Sequence, residues 1–470
     1  MFLLRTQRVN ERGRLEIGGC DAVDLAAHHG TPLYVFDEAA IRERCRAYRQ
    51  AFGARYPHVR IEYAGKAFLC LAMARLVHEE GLHLDVASAG ELYTALRAGF
   101  PPPGLVFHGN NKSAAELALA LDAGVGRIVI DNLHEVDLLA PLVARRPRPQ
   151  EVLVRVAPGV DPHTHRKIQT GQADTKFGLN AASGAALEGV RRVLATPGLL
   201  FTGLHAHVGS NLKGARAHLE ALDVLLDLAY EIRRETGLAI EELNVGGGLA
   251  IRYLPEDRVL PLDEFAAAVV SRLQEGLAAR HLPLPVLQVE PGRSIVGEAG
   301  TTLYTVGAIK DVPIPEPPGT RTYVAVDGGM SDNPRPQLYD AVYSALIANK
   351  AGRPADTPVR IAGKHCETDV LIQSTTIQHP EPGDVLAVLS TGAYTYSMAS
   401  NYNRLPRPAA VFVRDGRARL VIRRETLDDL LRQDVLPEDS ESSAWASPSP
   451  ADSRPDPRCT RCCTPPLASC

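Results

Sequence analysis

The sequence contains neither a long apolar run nor a block of like charge. No uninterrupted apolar stretch reaches the ~18 residues of a membrane-spanning helix, and the first stretch, MFLLRTQRVNERGRLEIGG, lacks the apolar centre of a secretory signal. The 51 basic and 55 acidic residues are mixed along the chain and give a formal charge of −4. Because nucleic-acid and anionic-membrane partners require a basic surface, we expect neither, and we predict a cytoplasmic protein.

Cysteine is sparse in the part of the chain with a folded composition. The four that occur there are Cys20, Cys45, Cys70 and Cys366. Their scatter suits reduced thiols better than a disulfide framework. The other four lie in residues 437–470, a Ser/Pro-rich segment that we predict to be a disordered tail. Cys459 and Cys462 have C-x-x-C spacing, but no second pair or histidine stands at ligand distance, so we predict no metal there.

From residue 61 the sequence repeats a pattern in which a short apolar run ends in polar or glycine residues and an amphipathic helix follows. The runs are IEYAGK, LHLDVAS, LVFHGN, RIVIDN, EVLVRVAP, FTGLHAHVGS, ELNVGGG and VLQVEPGR. Strands that alternate with helices predict a parallel sheet. Eight such units in about 230 residues match a closed (β/α)8 TIM barrel. An open doubly wound sheet is the alternative.

After about residue 294 the pattern changes to β runs without long helices between them. We therefore predict an α/β barrel over residues 36–293 and a C-terminal all-β domain over 294–436. The N-terminal strands, within residues 1–35, are too short to form a domain alone, and we predict that they complete the β domain.

The ends of the predicted barrel strands carry the chemistry. In such barrels the active site lies at the carboxyl ends of the strands. The residues at these ends are Lys66, Asp85, His108, Asp131, Arg155, His205, His207, Gly246, Gly247, Gly248, Glu290 and Arg293. Ordinary loops are also polar, but they are not expected to combine a lysine, an H-x-H, a triple glycine and E-P-G-R. The combination therefore indicates a functional site.

Lys66 follows Gly65 at the first strand end. In a dry, cationic pocket such a lysine loses its proton near neutral pH and forms a Schiff base with an aldehyde. An ordinary surface lysine is the alternative, since lysine is almost always exposed.

Three further strand ends suggest a partner for this lysine. The triple glycine follows the seventh strand, where barrels commonly bind phosphate, and Ser210 adds a hydroxyl nearby; a simple tight turn is the alternative. Glu290 can hold a protonated ring nitrogen, or it can form a surface ion pair with Arg293. Together with a histidine that stacks on the ring, these groups indicate pyridoxal 5′-phosphate.

His205 and His207 also fit a different chemistry. They share a strand face and have a spacing found in zinc sites. A metal-dependent hydrolase that uses them with Asp85, His108 and Asp131 is therefore a competing hypothesis. Against it, such an enzyme needs no triple-glycine loop and leaves Lys66 without a role, so we predict no metal.

Six short motifs connect the chain to a known family. They are Y-A-G-K-A (Tyr63–Ala67), H-V-G-S (His207–Ser210), G-G-G (Gly246–Gly248), E-P-G-R (Glu290–Arg293), K-H-C-E (Lys364–Glu367) and T-G-A-Y (Thr391–Tyr394). In this order they make residues 10–435 resemble the fold-type III PLP-dependent decarboxylases of the alanine racemase-like barrel family, and within it the members that act on diaminopimelate.

The resemblance implies roles for individual residues. Lys66 would carry the cofactor, His207 would stack on its ring, Glu290 would pair with the ring nitrogen, and Asp85 would support that environment. The implied cofactor-binding set also contains Ser210, Gly246, Gly247, Gly248, Gly292, Arg293 and Tyr394. The implied substrate-binding set is Arg293, Arg335, Tyr339, Glu367 and Tyr394. Cys366 would donate a proton across a homodimer interface, so the implied catalytic residues are Lys66, His207 and Cys366.

The implied reaction is decarboxylation of meso-2,6-diaminopimelate to L-lysine and CO₂ in lysine biosynthesis. Arginine binds carboxylates bidentately, so Arg293 and Arg335 suit a substrate with a distal carboxylate. A sister decarboxylase for carboxynorspermidine, ornithine or arginine is one alternative, and a non-catalytic PLP carrier is another. The family usually has C-E-S-G-D where this chain has Cys366-Glu367-Thr368-Asp369, one residue shorter.

Overall fold

A computed structural model of the chain describes residues 2–160, 172, 174–316 and 318–437. The predicted tail lies, beyond its first residue, outside the described residues, as do its four cysteines. Within the described ranges no helix combines the length and the apolar composition that crossing a bilayer requires.

The N-terminal segment begins with a small antiparallel sheet and then enters a larger one. The small sheet consists of β1 (Arg8–Val9), β2 (Leu15–Ile17) and β3 (Cys20–Asp21). Helix α1 (Ala22–His29) follows, with the Asp21 side chain accepting hydrogen bonds from two backbone N–H groups at its start. Strand β4 (Leu33–Asp37) is fully buried and joins the sheet of the C-terminal domain.

The middle of the chain forms the predicted barrel. Its strands are β5 (Val59–Ala64), β6 (His83–Val86), β7 (Leu105–Phe107), β8 (Arg127–Ile130), β9 (Gln150–Ala157), β10 (Leu179–Asn180), β11 (Leu199–His205), β12 (Glu242–Asn244) and β13 (Val286–Val289). All except β10, which pairs only with β9, form one closed parallel ring in the order β9-β11-β12-β13-β5-β6-β7-β8. The closed ring confirms the barrel and excludes the open doubly wound sheet.

Helices cover the outside of this ring. They are α2 (Glu38–Gly53), α3 (Leu71–Glu79), α4 (Ala89–Arg97), α5 (Ala114–Ala123), α6 (Leu133–Val143), α7 (Ala185–Leu194), α8 (Arg216–Thr236), α9 (Leu262–Ala279) and the single turn α10 (Arg293–Val296). Several begin at a side-chain cap that the sequence supplies; at α5, for example, Ser113 and Glu116 form a capping box. Each helix packs an apolar face on the outward-facing residues of the strands, which form the largest core cluster.

The barrel interior is apolar on one side and polar on the other. Val106, Val129 and Leu153, on β7, β8 and β9, form a small cluster of their own. On β5, β12 and β13, and at the residue that directly follows β13, the alternate residues that face away from the helices are polar: Glu62, Glu242, Asn244, Gln288 and Glu290, all buried. Bulky apolar residues usually fill such interiors, so the polar half is unusual.

The C-terminal part is the predicted β domain. Its elements are β14 (Gly300–Ile314), β15 (Gly319–Val326), α11 (Arg335–Tyr339), β16 (Ala345–Ile347), β17 (Thr357–Ala362), β18 (Val370–Ile377), β19 (Val385–Leu389), β20 (Ala409–Arg414), β21 (Arg417–Ile422) and α12 (Leu427–Leu431). The main sheet runs β18-β17-β15-β14-β4-β20-β21, while β19 pairs with both β14 and β16. Strand β4 lies between β14 and β20, so the N-terminal segment completes the domain as predicted. Strands β1 to β3 instead remain a separate sheet packed on its core.

Candidate active site

A cavity of about 490 Å³ opens at the carboxyl ends of the barrel strands. Most of the residues predicted from the strand ends line it. They are Lys66, Asp85, His108, Arg155, His205, His207, Ser210, Glu290 and Arg293, joined by Arg335, Tyr339 and Tyr394 from the β domain. The barrel and the β domain therefore build this cavity together.

Lys66 projects into the cavity from a 3-10 turn, Gly65–Ala67, that directly follows β5. Gly65 is required there, because a Cβ at this position would lie 2.8 Å from the carbonyl oxygen of Asp85. Burial disfavours the charged amine, but Tyr394, Asp85 and Glu290 oppose this effect and raise the pKa of Lys66. The nearby carboxylates Asp85 and Glu290 therefore oppose the dry, cationic surroundings in which such a lysine would lose its proton near neutral pH.

Glu290 is fixed at one of its two carboxylate oxygens. His205 Nε2 lies 3.0 Å from Oε1, His108 Nε2 lies 3.2 Å from it, and Asn244 Nδ2 donates to it at 2.8 Å. Burial alone would raise the pKa of Glu290, but the two histidines lower it well below the ordinary value. Burial also lowers the pKa of His205 to about 4. The site thus holds an ionised Glu290 carboxylate against a neutral His205 imidazole.

The triple glycine lies beside His207. The Gly247 N–H donates to His207 Nδ1 at 3.2 Å, which fixes the proton of this imidazole on Nε2. Burial lowers the pKa of His207 well below its ordinary value, so the ring is neutral. Gly248 has a φ of +114°, and a Cβ there would lie 2.2 Å from the carbonyl oxygen of Gly209. Only glycine therefore allows these two loops to approach so closely.

Ser210, Arg293 and Tyr394 form the next part of the wall. The Ser210 hydroxyl accepts from Arg293 Nε at 3.3 Å and from Nη2 at 3.0 Å. The same guanidinium lies 4.9 Å from the centre of the Tyr394 ring. The backbone N–H of Tyr394 donates to the carbonyl of Ala67 at 2.8 Å, which ties this β-domain loop to the lysine turn.

Two phenols position a second guanidinium beside the first. Arg335 Nη1 donates to Tyr253 Oη at 3.0 Å and to Tyr343 Oη at 2.7 Å, and Arg293 Nη1 also donates to Tyr253 Oη. Burial alone would raise the pKa of Tyr253, but the two guanidiniums together lower it. Tyr339, on α11 with Arg335, lines the same cavity. One phenol thus joins two buried positive charges.

Cys366 and Glu367 lie outside the cavity of their own chain. Both are exposed, and neither is among the residues that line it. Their loop is anchored by Asp369, which accepts hydrogen bonds from the backbone N–H and, at 2.5 Å, from Nδ1 of His365. Tyr402 Oη donates to Glu367 Oε1 at 2.7 Å.

His108, His205 and Glu290 are also close enough together to be considered as metal ligands, since one ligand atom from each lies within 4.8 Å of the others. His205 Nε2 is hydrogen-bonded to the Glu290 carboxylate, while His108 Nε2 lies 3.2 Å from the same oxygen. The other residues of the hydrolase hypothesis are arranged differently. His207 accepts from the glycine loop, and Asp131 lies 3.7 Å from Arg155.

Comparison with known proteins decides between these chemistries. Residues 38–297 match the family described as pyridoxal-dependent decarboxylase, pyridoxal binding domain. Diaminopimelate decarboxylase of Bacillus subtilis is 47% identical over 436 residues, which are 93% of this chain and 98% of that protein. The enzyme of that name from Mycobacterium tuberculosis is 45% identical over 433 residues, 91% of this chain and 96% of the relative. The chain belongs to the diaminopimelate decarboxylase family.

Solved structures of this family share the fold. Diaminopimelate decarboxylase from M. jannaschii, in complex with L-lysine, is 33% identical and superposes with a TM-score of 0.85 over 93% of this chain and 99% of the other. The Helicobacter pylori enzyme, also complexed with L-lysine, is 30% identical with a TM-score of 0.78, over 87% of this chain and 98% of the other. Both architectures thus combine the barrel and the β domain.

The cofactor of this family is pyridoxal 5′-phosphate, and the cavity fits it. Within the described residues, the side-chain contacts of Glu290 all fall on Oε1, which leaves Oε2 for a ring nitrogen. The triple glycine beside His207 carries no side chains, so its backbone can form a cradle that approaches a phosphate closely. An amine, an ionised carboxylate and a glycine cradle are therefore the three groups that this cofactor needs.

The sequence did not reveal the residues that hold the site in place. Asn244, Tyr253 and Tyr343 contact Glu290, Arg293 or Arg335, but none lies in a motif that points to their role. Asn244 lies two residues before the triple glycine. This proximity was the indication of its role that the sequence offered.

Proposed function

We propose that this chain decarboxylates meso-2,6-diaminopimelate to L-lysine and CO₂, the last step of lysine biosynthesis. The observation that carries the proposal is the pair of buried guanidiniums, Arg293 and Arg335, joined through Tyr253 in the wall of the cofactor cavity. A substrate with a distal carboxylate meets two positive charges there, whereas the distal cations of ornithine or arginine are repelled.

We assign the cofactor contacts as follows. Pyridoxal 5′-phosphate, when bound, supplies a protonated pyridine ring that accepts the electron pair left on the substrate Cα as CO₂ departs. Lys66 anchors the cofactor, and Glu290 presents Oε2 to the ring nitrogen and favours its protonated form. His207 faces the ring, supported in its neutral state by Gly247, and Asp85 lies beside the histidines that hold Glu290.

The phosphate site is proposed at the remaining groups of the wall: Ser210, Gly246, Gly247, Gly248, Gly292, Arg293 and Tyr394. The Ser210 hydroxyl and the Arg293 guanidinium are already hydrogen-bonded to each other, so a phosphate finds both donors preassembled. Preassembly means that little side-chain freedom is lost on binding, which favours a tightly held cofactor.

The substrate contacts are assigned from the family resemblance, and the cavity wall supports those of Arg293, Arg335, Tyr339 and Tyr394. Arg335 and Tyr339, with Arg293 and Tyr394, hold the distal carboxylate, and Glu367 binds the distal amino group. The Tyr253 and Tyr343 hydroxyls keep the Arg335 guanidinium in one orientation, so that its remaining donors face the cavity. The scissile carboxylate is then oriented by contacts made far from the reacting bond.

We further propose that the active unit is a homodimer in the cytoplasm. Cys366 is proposed to donate the proton that replaces CO₂ on Cα, yet it and Glu367 are exposed and lie outside the cavity of their own chain. A second copy therefore supplies both residues. The buried free thiols of Cys20, Cys45 and Cys70 suit a reducing compartment.

The first test is the release of CO₂ from meso-diaminopimelate by the purified protein, with ornithine, arginine, L-lysine and carboxynorspermidine as competing substrates. We expect release from diaminopimelate alone. Preferential release from a substrate with a cationic distal end would favour a sister decarboxylase. A visible absorption band that borohydride abolishes, and that Lys66→Ala lacks, reports the anchoring lysine independently of turnover.

The dimer is tested by mixing two inactive variants. Lys66→Ala removes the anchoring lysine from one copy, and Cys366→Ala removes the proton donor from the other. Random exchange of subunits then restores one intact site per mixed dimer, so about a quarter of the wild-type activity returns on mixing. If the mixture stays inactive although subunits exchange, Cys366 acts within its own chain or not at all.

A further inference from the structure

We propose that Asn244 is a positioning residue that locks the ring-nitrogen carboxylate Glu290 and the first glycine of the phosphate loop into one arrangement, and that Glu62 holds Asn244 from inside the barrel. The proposal rests on the role assigned to Glu290 above. It adds two residues that are not among those lining the cavity.

The Asn244 side chain uses every hydrogen-bonding group that it has. Nδ2 donates to Glu290 Oε1 at 2.8 Å and to Glu62 Oε2 at 3.0 Å, and Oδ1 accepts from the Gly246 N–H at 2.8 Å. Two donors and one acceptor are the inventory that this position requires. Aspartate would place a third carboxylate between two others, and an apolar residue would leave both carboxylates without the donor.

The location of Asn244 explains why its effect reaches both ends of the cofactor. It is the last residue of β12, and the triple glycine begins two residues later. Its side chain faces the barrel interior and reaches Glu290, the residue that directly follows the neighbouring strand β13. The ring-nitrogen contact and the phosphate loop are therefore connected through one amide, so a shift of either is transmitted to the other.

Glu62 braces the amide as a neutral acid. Glu62 is fully buried. The nearby carboxylates of Glu290, Asp85 and Glu242 disfavour its ionised form, whereas the Arg60 guanidinium favours it. Burial and the negative charge of Glu290 raise the pKa of Glu62 well above its ordinary value. A protonated Glu62 accepts from Asn244 without adding a second negative charge beside Glu290.

The experiment compares four variants of the full chain. Asn244→Ala removes the link, Glu62→Leu removes the brace, and Glu62→Gln keeps a neutral acceptor of the same shape. Gln288→Met is the matched control, because Gln288 is equally buried on β13 beside Asn244 and has no hydrogen-bond partner for its amide among the described residues. Each variant is checked by circular dichroism and thermal unfolding. Asn244→Ser replaces Asn244→Ala if the latter does not fold.

Two readouts do not depend on turnover: the dissociation constant of pyridoxal 5′-phosphate and the pH midpoint of its visible band in the absence of substrate. For Asn244→Ala we expect cofactor affinity and kcat each to fall about 10- to 100-fold, the effect of losing a hydrogen bond to a charged group. The midpoint should rise, because a carboxylate held less firmly leaves less positive charge on the ring. Glu62→Leu should likewise weaken cofactor binding and raise the pH midpoint.

Glu62→Gln and Gln288→Met should both stay within about threefold of the wild type. The inference is overturned if Asn244→Ala leaves the midpoint and the affinity unchanged, or if Glu62→Gln loses as much as Glu62→Leu. Glu290→Gln separates this result from the proposed function. An unchanged midpoint in Glu290→Gln contradicts the ring-nitrogen role itself, whereas a shift there without one in Asn244→Ala contradicts only the positioning role.

Discussion

Replacing Arg335 with Met should remove the selectivity for a distal carboxylate while leaving the cofactor bound. The guanidinium is buried, at 5% exposure, and within the described residues its hydrogen bonds all come from Nη1, toward Tyr253 and Tyr343. Nε and Nη2 are thus left as two donors for one carboxylate. Charge-assisted hydrogen bonds contribute about 1.5 to 3 kcal/mol each, so the loss of two should cost about 3 to 6 kcal/mol in transition-state binding.

That loss corresponds to a fall in kcat/KM of between about 10²- and 10⁴-fold for diaminopimelate. The assay is CO₂ release at saturating pyridoxal phosphate, with the cofactor dissociation constant measured in parallel. Arg335→Lys keeps the positive charge but cannot bind a carboxylate bidentately, so its kcat/KM should lie between those of the wild type and Arg335→Met. Tyr343→Phe removes only one of the two hydrogen bonds that orient Arg335 and should lower kcat/KM about tenfold.

The reasoning is refuted if Arg335→Met retains kcat/KM within threefold of the wild type. It is also refuted if the loss is accompanied by an equal loss of cofactor affinity, because the residue would then support the cavity as a whole. Either result would move the carboxylate site away from the two guanidiniums.

Three further predictions test separate parts of the structure. Gly248→Ala, which forces a Cβ against a backbone carbonyl, should weaken pyridoxal phosphate binding at least about tenfold by fluorescence titration, whereas Gly214→Ala, in open space, should not. Burial lowers the pKa of His218 to about 4, so the unfolded chain binds the extra proton as pH falls from 7 to 5 and stability drops; His218→Gln should remove about 2 kcal/mol of that drop in urea unfolding. Lys112 and Glu135 form a buried ion pair at 2.9 Å, so Glu135→Gln should cost about 3 kcal/mol, and the double variant with Lys112→Met should unfold at higher urea than the single one.

Much of the site could be predicted because a parallel barrel brings the ends of its strands together. Once eight strands were recognised, Lys66, His207 and Glu290 had to meet at one rim although they are far apart in the chain. The glycines after β12 were equally predictable, because a close backbone approach leaves few alternatives to glycine.

The electrostatics of the site could not be predicted from any single strand end. The pKa of Lys66 depends on carboxylates that arrive from β6 and β13 and on a phenol from the β domain. Sequence spacing gives none of these distances. Whether the pocket meets the dry, cationic condition for a neutral lysine therefore depends on distances that only the fold supplies.

Buried polar residues were missed for a different reason. Glu62 alternates with Ile61 and Tyr63, so the period of the strand places it inside the barrel. Barrel interiors are usually apolar, and that expectation argues against a buried acid at such a position. Its partner Asn244 comes from a strand about 180 residues away, and only the fold brings the two together.

The position of β4 has a consequence for how the chain is made. This strand lies between β14 and β20, whose residues follow it by about 265 and 375 positions. At 5 to 20 residues per second, a ribosome needs roughly 20 to 75 s to deliver the second partner. During that interval the barrel strands are made while an apolar strand that precedes them still has an unpaired edge, so newly made chains carry an aggregation-prone edge at β4 until β20 has been synthesised.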